Sequence, residues 1–310
     1  MNNNDKVWSI ILAAGEGDRL RPLVERWLGS PKPKQYCTFV GTRSMLQHTL
    51  DRADQISPPE QKLTIIARHH HRLGWAHFLD KQPGKTLVQP ANRGTASAIF
   101  LALAYIRRQQ PDATVVIFPS DHFIHPEAGF VSAIRTAVSA AKAAKHWLTL
   151  VGVSPEQPEP EYGWIQLGIP LGWIDGHRLR IAESFFEKPT HENCRRAMAK
   201  GALWNTMILA ANLKLLWEQG YENLPDLMPL LEKFDTSLES PAEESALETL
   251  YENLPSCDFS SAVLQRIPHR IAVLELNGVL WSDWGRAERI VRSLDLIGKL
   301  PSFRLAEVAS

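Results

Sequence analysis

A chain of 310 residues, 44% hydrophobic and 22% charged, holds enough apolar material for one large α/β domain, with or without a small appendage. Its 34 Lys and Arg balance 34 Asp and Glu, which excludes a broad electrostatic surface for nucleic acid or an anionic membrane, so any phosphate must be bound locally. Three scattered cysteines (Cys37, Cys194, Cys257), no basic region before Val7 and no apolar run longer than a strand predict a cytoplasmic protein without disulfides, leader or membrane span.

The first apolar run, Val7 to Ala14, reads as a strand buried on both faces, and it breaks into Gly15-Glu16-Gly17-Asp18-Arg19. A buried strand that empties into a glycine-rich turn suits a phosphate. The glycines let backbone N–H groups close on an anion, and Arg19 adds a fixed, always-charged fork. The Gly-Lys-Ser/Thr of a P-loop is absent, and Leu20 stands where a dinucleotide fingerprint needs its third glycine. By itself the loop supports no more than phosphate binding, and an ordinary strand-to-helix turn is the plainer reading.

Leu23 to Leu28 starts a helix that Gly29-Ser30-Pro31 stops. The prolines in Lys32-Pro33-Lys34-Gln35-Tyr36 keep both lysines out of regular helix. Helical spacing at Met45, Leu46, Leu50 and Ala53 predicts a helix over 44–53 capped by Ser44. His69-His70-His71 reads as a solvated turn, because consecutive histidines do not easily converge on one ion. Strands follow at Leu63 to Ala67, Leu87-Val88, Thr114 to Phe118 and Leu148 to Val153, with helices over 94–108 and 130–144 between them. This alternation predicts a mostly parallel sheet with helices on both faces. Three prolines among acids at 155–160 open a less regular second half. Strands are predicted there at 163–168, 179–186, 271–276 and 279–281, and helices at 191–200, 213–219, 242–253 and 286–297.

Ligands of open α/β sheets sit at the carboxyl ends of strands. Four predicted exits carry polar groups: Arg19, the segment Gln89 to Thr95, Asp121 and Lys188. Asp121 either helps hold Mg²⁺ against a phosphate oxygen or caps the next turn, and Asp283, after Val279 to Ser282, is a second carboxylate of the same kind. His122 reads as a packing or hydrogen-bonding neighbour of Asp121 rather than a base. In Gln89-Pro90-Ala91-Asn92-Arg93-Gly94-Thr95, Pro stiffens the turn, Gly94 admits close approach and the Gln89 amide can read a base edge; the plain alternative is a loop feeding a helix. The tryptophans are expected in the core, with Trp164 and Trp173 as candidates to line a ligand.

The stretch Leu12 to Leu23 resembles the signature of the sugar-phosphate nucleotidyltransferases. Further pieces follow in the order of their mannose-1-phosphate guanylyltransferase branch: Pro33-Lys34-Gln35-Tyr36, Gln89-Pro90 with Asn92 to Ala96, Phe118 to His122, Glu161-Tyr162-Gly163-Trp164-Ile165, Phe186-Glu187-Lys188-Pro189, Leu203-Trp204-Asn205 and Trp281 to Gly285. The matches span about residues 7 to 285. The resemblance implies a Rossmann-like fold of the nucleotide-diphospho-sugar transferase type in a single domain. Its nucleotide half runs to about residue 154, and the rest is a smaller sugar-side half with the closing metal residue. It also implies the reaction. A sugar 1-phosphate oxygen attacks the α-phosphorus of a nucleoside triphosphate, GTP with mannose 1-phosphate in this branch, and pyrophosphate leaves.

In that scheme Arg19 and Lys34 hold the triphosphate, Asp121 and Asp283 hold Mg²⁺, and Lys188 meets the sugar phosphate. Glu187, Asn205 and the Gly163 backbone bind sugar hydroxyls. Leu12, Ala14, Gly15, Gly17, Gln89 and Gly94 face the nucleotide. The partners implied are these two substrates, with a homodimer as an open option. The chain departs from the branch at Asp18, where a small hydroxyl residue is usual, at the shuffled Ala91-Asn92-Arg93-Gly94, at Met207, where a glycine is usual, and at Trp284 and Arg286. The alternatives are another base and sugar (UTP, dTTP or ATP with glucose 1-phosphate) or a binding protein without turnover. At this length no room is expected for the hexapeptide-repeat or isomerase domains of longer relatives.

Overall fold

A computed structural model describes residues 6–78 and 83–308, so the residues before Lys6 that bear on the leader expectation lie outside it. The strands are β1 (Val7–Ala13), β2 (Lys62–Ala67), β3 (Lys85–Gln89), β4 (Thr114–Pro119), β5 (Phe123–His125), β6 (Leu148–Val153), β7 (Gly163–Ile174), β8 (His177–Glu187), β9 (Leu203–Asn212), β10 (Ile271–Glu275) and β11 (Leu280–Ser282). Nine of them form one sheet in the order β3-β2-β1-β4-β9-β6-β10-β8-β7, while β11 and β5 make a separate antiparallel pair.

Neighbours β3, β2, β1 and β4 are parallel, as are β6 and β10, and only β9 and β8 run against the rest of the sheet. The mostly parallel α/β architecture is as the alternation of elements predicts. Its two faces follow from the period of two along each strand. Ile10, Val115 and Ile117 pack with the helix Gly94–Gln109 in one apolar cluster. Their neighbours Ile11, Val116 and Phe118 pack with the helix Glu127–Ala143 in another. Strands sandwiched this way must be apolar on both sides, which is why β1, β2, β4 and β6 read as nearly unbroken hydrophobic runs.

Besides short helices at Met228–Asp235 and Phe259–Ala262, three features were not predicted. The central strand β9 pairs antiparallel with both β4 and β6. Its sequence Leu-Trp-Asn-Thr-Met-Ile-Leu-Ala-Ala-Asn lacks a strand's alternation, because Met207 kinks it with φ 57° and polar side chains replace part of the ladder. The Thr206 hydroxyl donates to Val151 O at 2.7 Å, and Asn205 Oδ1 accepts from Met207 N at 2.9 Å. The second feature is the short strand β5. It pairs with β11 so that Ile124 faces Trp281 and Phe123 faces Ser282, which brings the segment after Asp121 against the segment before Asp283. The third is the helix His71–Phe78, which takes in the last residue of the histidine run.

Strands β7 and β8 form a long hairpin closed by Asp175-Gly176, both at positive φ (47° and 80°), as a two-residue turn matched to strand twist demands. The hairpin carries Trp173 to its far end at 70% exposure, roughly 30 Å along the strand from Gly163, while Trp164 is fully buried among core residues. Neither tryptophan lines a ligand site together with Gly163. Trp284, at φ 43°, stacks on Phe123 with centroids 4.3 Å apart and planes 9° apart, filling a third apolar cluster with Phe39 and Leu23.

Candidate active site

The glycine loop gets its shape from the segment that follows it. Pro33 is extended and Lys34–Tyr36 makes a single 3-10 turn. Gln35 Nε2 there donates to Ala13 O at 2.9 Å and to Gly15 O at 2.8 Å, and the Tyr36 hydroxyl donates to Ala13 O at 3.3 Å. The loop therefore leaves β1 with its carbonyls held inward. Gly17 sits at φ 70°, and a Cβ there would stand 2.8 Å from Lys34 N, so glycine is required. Asp18 is exposed at the start of the 3-10 turn Asp18–Leu20, where an acid suits the turn's dipole.

Lys34, only 5% exposed at its side chain, points its Nζ at Asp121 Oδ2 (2.9 Å) and also donates to the backbone carbonyl of Asp283. One ammonium thus joins three segments that are far apart in sequence. Arg19, half exposed, bridges Glu161 Oε2 at 2.7 Å and Asp283 Oδ2 at 2.9 Å. The other oxygen of Asp283 accepts from the Tyr162 hydroxyl at 2.7 Å, Gly285 N at 2.8 Å and Arg289 at 2.7 Å. Arg289 also reaches Glu159 at 2.6 Å and Glu161 at 2.7 Å, with its guanidinium 4.8 Å over the Tyr162 ring. Arg286 completes the group by donating to Glu161 Oε1 at 3.0 Å.

These contacts set the protonation states. Burial works against ionised Asp121, but Lys34 and His122 overcome it and hold the carboxyl below its usual range. Burial likewise opposes Asp283, and Lys34, Arg289, the Tyr162 hydrogen bond and Arg19 hold it well below the carboxylate range. Burial pushes His122 down to about 4 despite neighbouring Asp121, so the imidazole is neutral at pH 7. It accepts from Trp281 Nε1 at 3.3 Å, the hydrogen-bonding role its sequence position predicts.

A second cluster lies at the start of β7. A Cβ on Gly163 would stand 2.7 Å from Glu187 Oε2 and 3.1 Å from Asn205 Cβ, so these three predicted residues do converge. Glu187 Oε2 is buried without a hydrogen-bond partner. Burial and nearby Asp258 raise its carboxyl to about 7, against the pull of Lys188. Asn205 donates to Ser260 at 3.3 Å. Lys188 follows at φ 46°, with its Nζ 3.8 Å from Glu187 and two-thirds of its side chain exposed. The Lys188 backbone N donates to Tyr162 O at 3.2 Å, and the Tyr162 hydroxyl in turn binds Asp283, which links the two clusters. Three non-glycine residues beside these clusters, Lys188, Met207 and Trp284, hold positive φ, a strain that accumulates where function fixes the backbone.

The predicted nucleotide-side residues spread around the loop. Leu12 O accepts from Ser120 N at 3.1 Å, tying the end of β1 to the residue before Asp121. Gln89 is buried and its amide nitrogen is committed to the Tyr251 hydroxyl at 2.6 Å, so that N–H group is not free to read a base. Gly94, at φ 82°, packs against the Cys257 carbonyl, and Ala14 and Gly15 remain partly open to solvent. Sequence reasoning passed over Arg289 and Glu159. The available signal was complementary charge: Arg286, the N-cap of the helix Ala287–Leu296, and Arg289 in its first turn lie three residues apart, and Glu159 and Glu161 precede β7.

The nucleotidyl transferase family pattern matches residues 8–296. The chain belongs to that family. It is 29% identical over 284 residues to the xanthan biosynthesis protein XanB of Xanthomonas campestris pv. campestris, covering 90% of this chain and 57% of the relative. It is 30% identical over 288 residues to the mannose-1-phosphate guanylyltransferase of Escherichia coli K12, covering 90% and 58%. The chain thus spans little more than half the length of these relatives. Among solved structures, the mannose-1-phosphate geranyltransferase from Thermus thermophilus superposes with TM-score 0.78 at 24% identity, covering 94% of this chain and 79% of that one. The mannose-6-phosphate isomerase from Helicobacter pylori gives TM-score 0.70 at 21% identity, covering 89% and 99%. Two shape neighbours with such different names share the fold, and at these identities only the fold.

Proposed function

We propose that this protein transfers a nucleotidyl group from a nucleoside triphosphate to a sugar 1-phosphate, releasing pyrophosphate, with GTP and mannose 1-phosphate as its pair. The observation that carries the reading is the meeting of Lys34 with Asp121 and the Asp283 backbone, beside Arg19. The choice of base and sugar is supported by relatives that bear the guanylyltransferase name at 25–30% identity.

In the reaction, a sugar phosphate oxygen forms a bond to the α-phosphorus as the bond to the β-phosphate oxygen breaks, and the electron pair leaves with pyrophosphate. The attacking oxygen is already ionised, so no base is needed. What the protein must supply is position and charge. Lys34 and Arg19 carry the cationic groups for the triphosphate and the departing pyrophosphate. The exposed Lys188 ammonium takes the sugar phosphate as a point charge. Glu187, Asn205 and the Gly163 backbone receive sugar hydroxyls, and Glu187 is an unsatisfied acceptor until a hydroxyl reaches it. Asp121 and Asp283 suit Mg²⁺, being hard oxygen donors on facing segments and both held ionised. When bound, such an ion neutralises phosphoryl oxygens.

Pyrophosphate release by purified protein, measured with Mg²⁺ over a panel of triphosphates and sugar 1-phosphates, tests the proposal. Turnover is expected to be fastest with GTP and mannose 1-phosphate. No turnover with any pair overturns the proposal, and preference for another triphosphate overturns the guanylyl assignment alone.

A further inference from the structure

The histidine run does not fold as a solvated turn. Arg68–His70 makes one 3-10 turn at the exit of β2, and the helix His71–Phe78 begins immediately after. That break in the backbone sends the three rings different ways. His71 faces Trp75, whose Nε1 donates to it at 2.5 Å, whereas His69 and His70 lie together with centroids 4.1 Å apart. Because β2 pairs in parallel with β1, this turn stands beside the glycine loop, and Glu16 reaches across from it. Glu16 Oε2 lies 3.0 Å from His69 Nε2 and 3.3 Å from His70 Nε2. Among the described residues this is the one group of three His, Cys, Asp or Glu whose ligand atoms all fall within 4.8 Å of one another.

The spacing fits a tetrahedral ion. Bonds of about 2.0–2.1 Å to zinc place neighbouring ligand atoms roughly 3.3 Å apart, close to the two distances from Glu16 Oε2, and the third pair also lies within 4.8 Å. Two imidazoles and one carboxylate are the donors of zinc centres that keep a fourth position open. Imidazole prefers zinc, nickel or copper to magnesium, which separates this trio chemically from the all-oxygen pair Asp121 and Asp283. The parts are also preset. His70 is 3% exposed and packs edge-on to Tyr36 at 5.6 Å, while His69 and Glu16 are open enough to admit an ion. His70 Nδ1 has no hydrogen-bond partner, and lack of outer support of that kind lowers metal affinity by about ten- to a hundredfold, so the site is one of moderate strength.

We infer that Glu16, His69 and His70 form a binding site for zinc or a similar transition metal, which ties the glycine loop to the exit of β2. An ion held there fixes Glu16 and with it the backbone from Gly15 to Gly17. The inference does not depend on the reaction proposed above. It is tested by calorimetric titration of the metal-stripped full chain with zinc alone, with cobalt absorption as a report of four-coordinate geometry. One saturable zinc per chain is expected, retained in millimolar magnesium. Glu16→Gln and His69→Ala, both at solvent-facing side chains, should each weaken it at least about tenfold while leaving the melting curve of the metal-free protein unchanged. Absence of saturable zinc binding, or variants that bind zinc as tightly as the parent, overturns it.

Discussion

At Asp121 burial and charge pull in opposite directions, and Lys34 decides the outcome. Asp121→Asn keeps the shape and removes the negative charge. Turnover should fall about a hundredfold or more, while circular dichroism and much of the triphosphate affinity are retained. Full retention of kcat would rule out a metal-holding role for Asp121. Glu187 is the reverse case, a buried acid with no partner for Oε2, raised from 4.5 to about 7. Its neutral form fits the folded protein better than its ion. The stability it confers is therefore complete below pH 4.5 and is lost as pH rises through 7. Glu187→Gln should flatten that fall and leave the variant more stable than the parent above pH 7, by about 3 kcal/mol at most. Denaturant midpoints over a pH series check this, and parental stability that does not decline across the window contradicts it.

The closing helix Ala287–Leu296 matters less for the sheet than for one residue. Arg289 faces Asp283 and Glu159 with all three side chains nearly buried, so removing the cation takes the ion-pair partner from interior Glu159 and leaves Asp283 with Arg19 as its one guanidinium. Arg289→Met should cost about 3–5 kcal/mol in chemical denaturation, well beyond the effect of losing an exposed ion pair. A loss under about 1 kcal/mol would mean that the network is solvated. How much could be read beforehand also varies element by element. The buried strands β1, β2, β4 and β6 were legible because helices cover both faces and demand apolar runs. Strand β9 was not, since side chains of Asn205 and Thr206 satisfy its kinked backbone and blur the pattern. Residues Arg19, Asp121 and Asp283 could be picked out at strand exits and Lys34 by its family resemblance, but the meeting of Asp121 with Asp283 depends on the pairing of β5 with β11, which is too short to announce itself. The histidine run misled because spacing along the chain says nothing about a backbone that changes from a 3-10 turn to an α-helix within it.

Over the whole molecule the formal charge is zero, and the site repeats that balance in miniature. Asp121, Asp283, Glu159 and Glu161 face Lys34, Arg19, Arg286 and Arg289, with every contact running between opposite signs. Lys188 stands outside that network, two-thirds exposed, with Glu187 3.8 Å away.

The bridge from Arg19 to Asp283 makes the guanidinium a resident counterion. It sits on the one Asp283 oxygen that Tyr162, Gly285 and Arg289 leave unclaimed. If Asp283 holds Mg²⁺ as proposed, the dication would have to exchange places with Arg19, and the displaced guanidinium would be free for the anion that arrives with the metal. Arg19→Ala should therefore move two properties in opposite directions, tightening Mg²⁺ or Mn²⁺ binding to the substrate-free protein several-fold while lowering turnover. Calorimetry with the metal alone, set beside initial rates, would show it. Metal affinity that falls together with turnover would mean that Arg19 and the ion cooperate instead of competing.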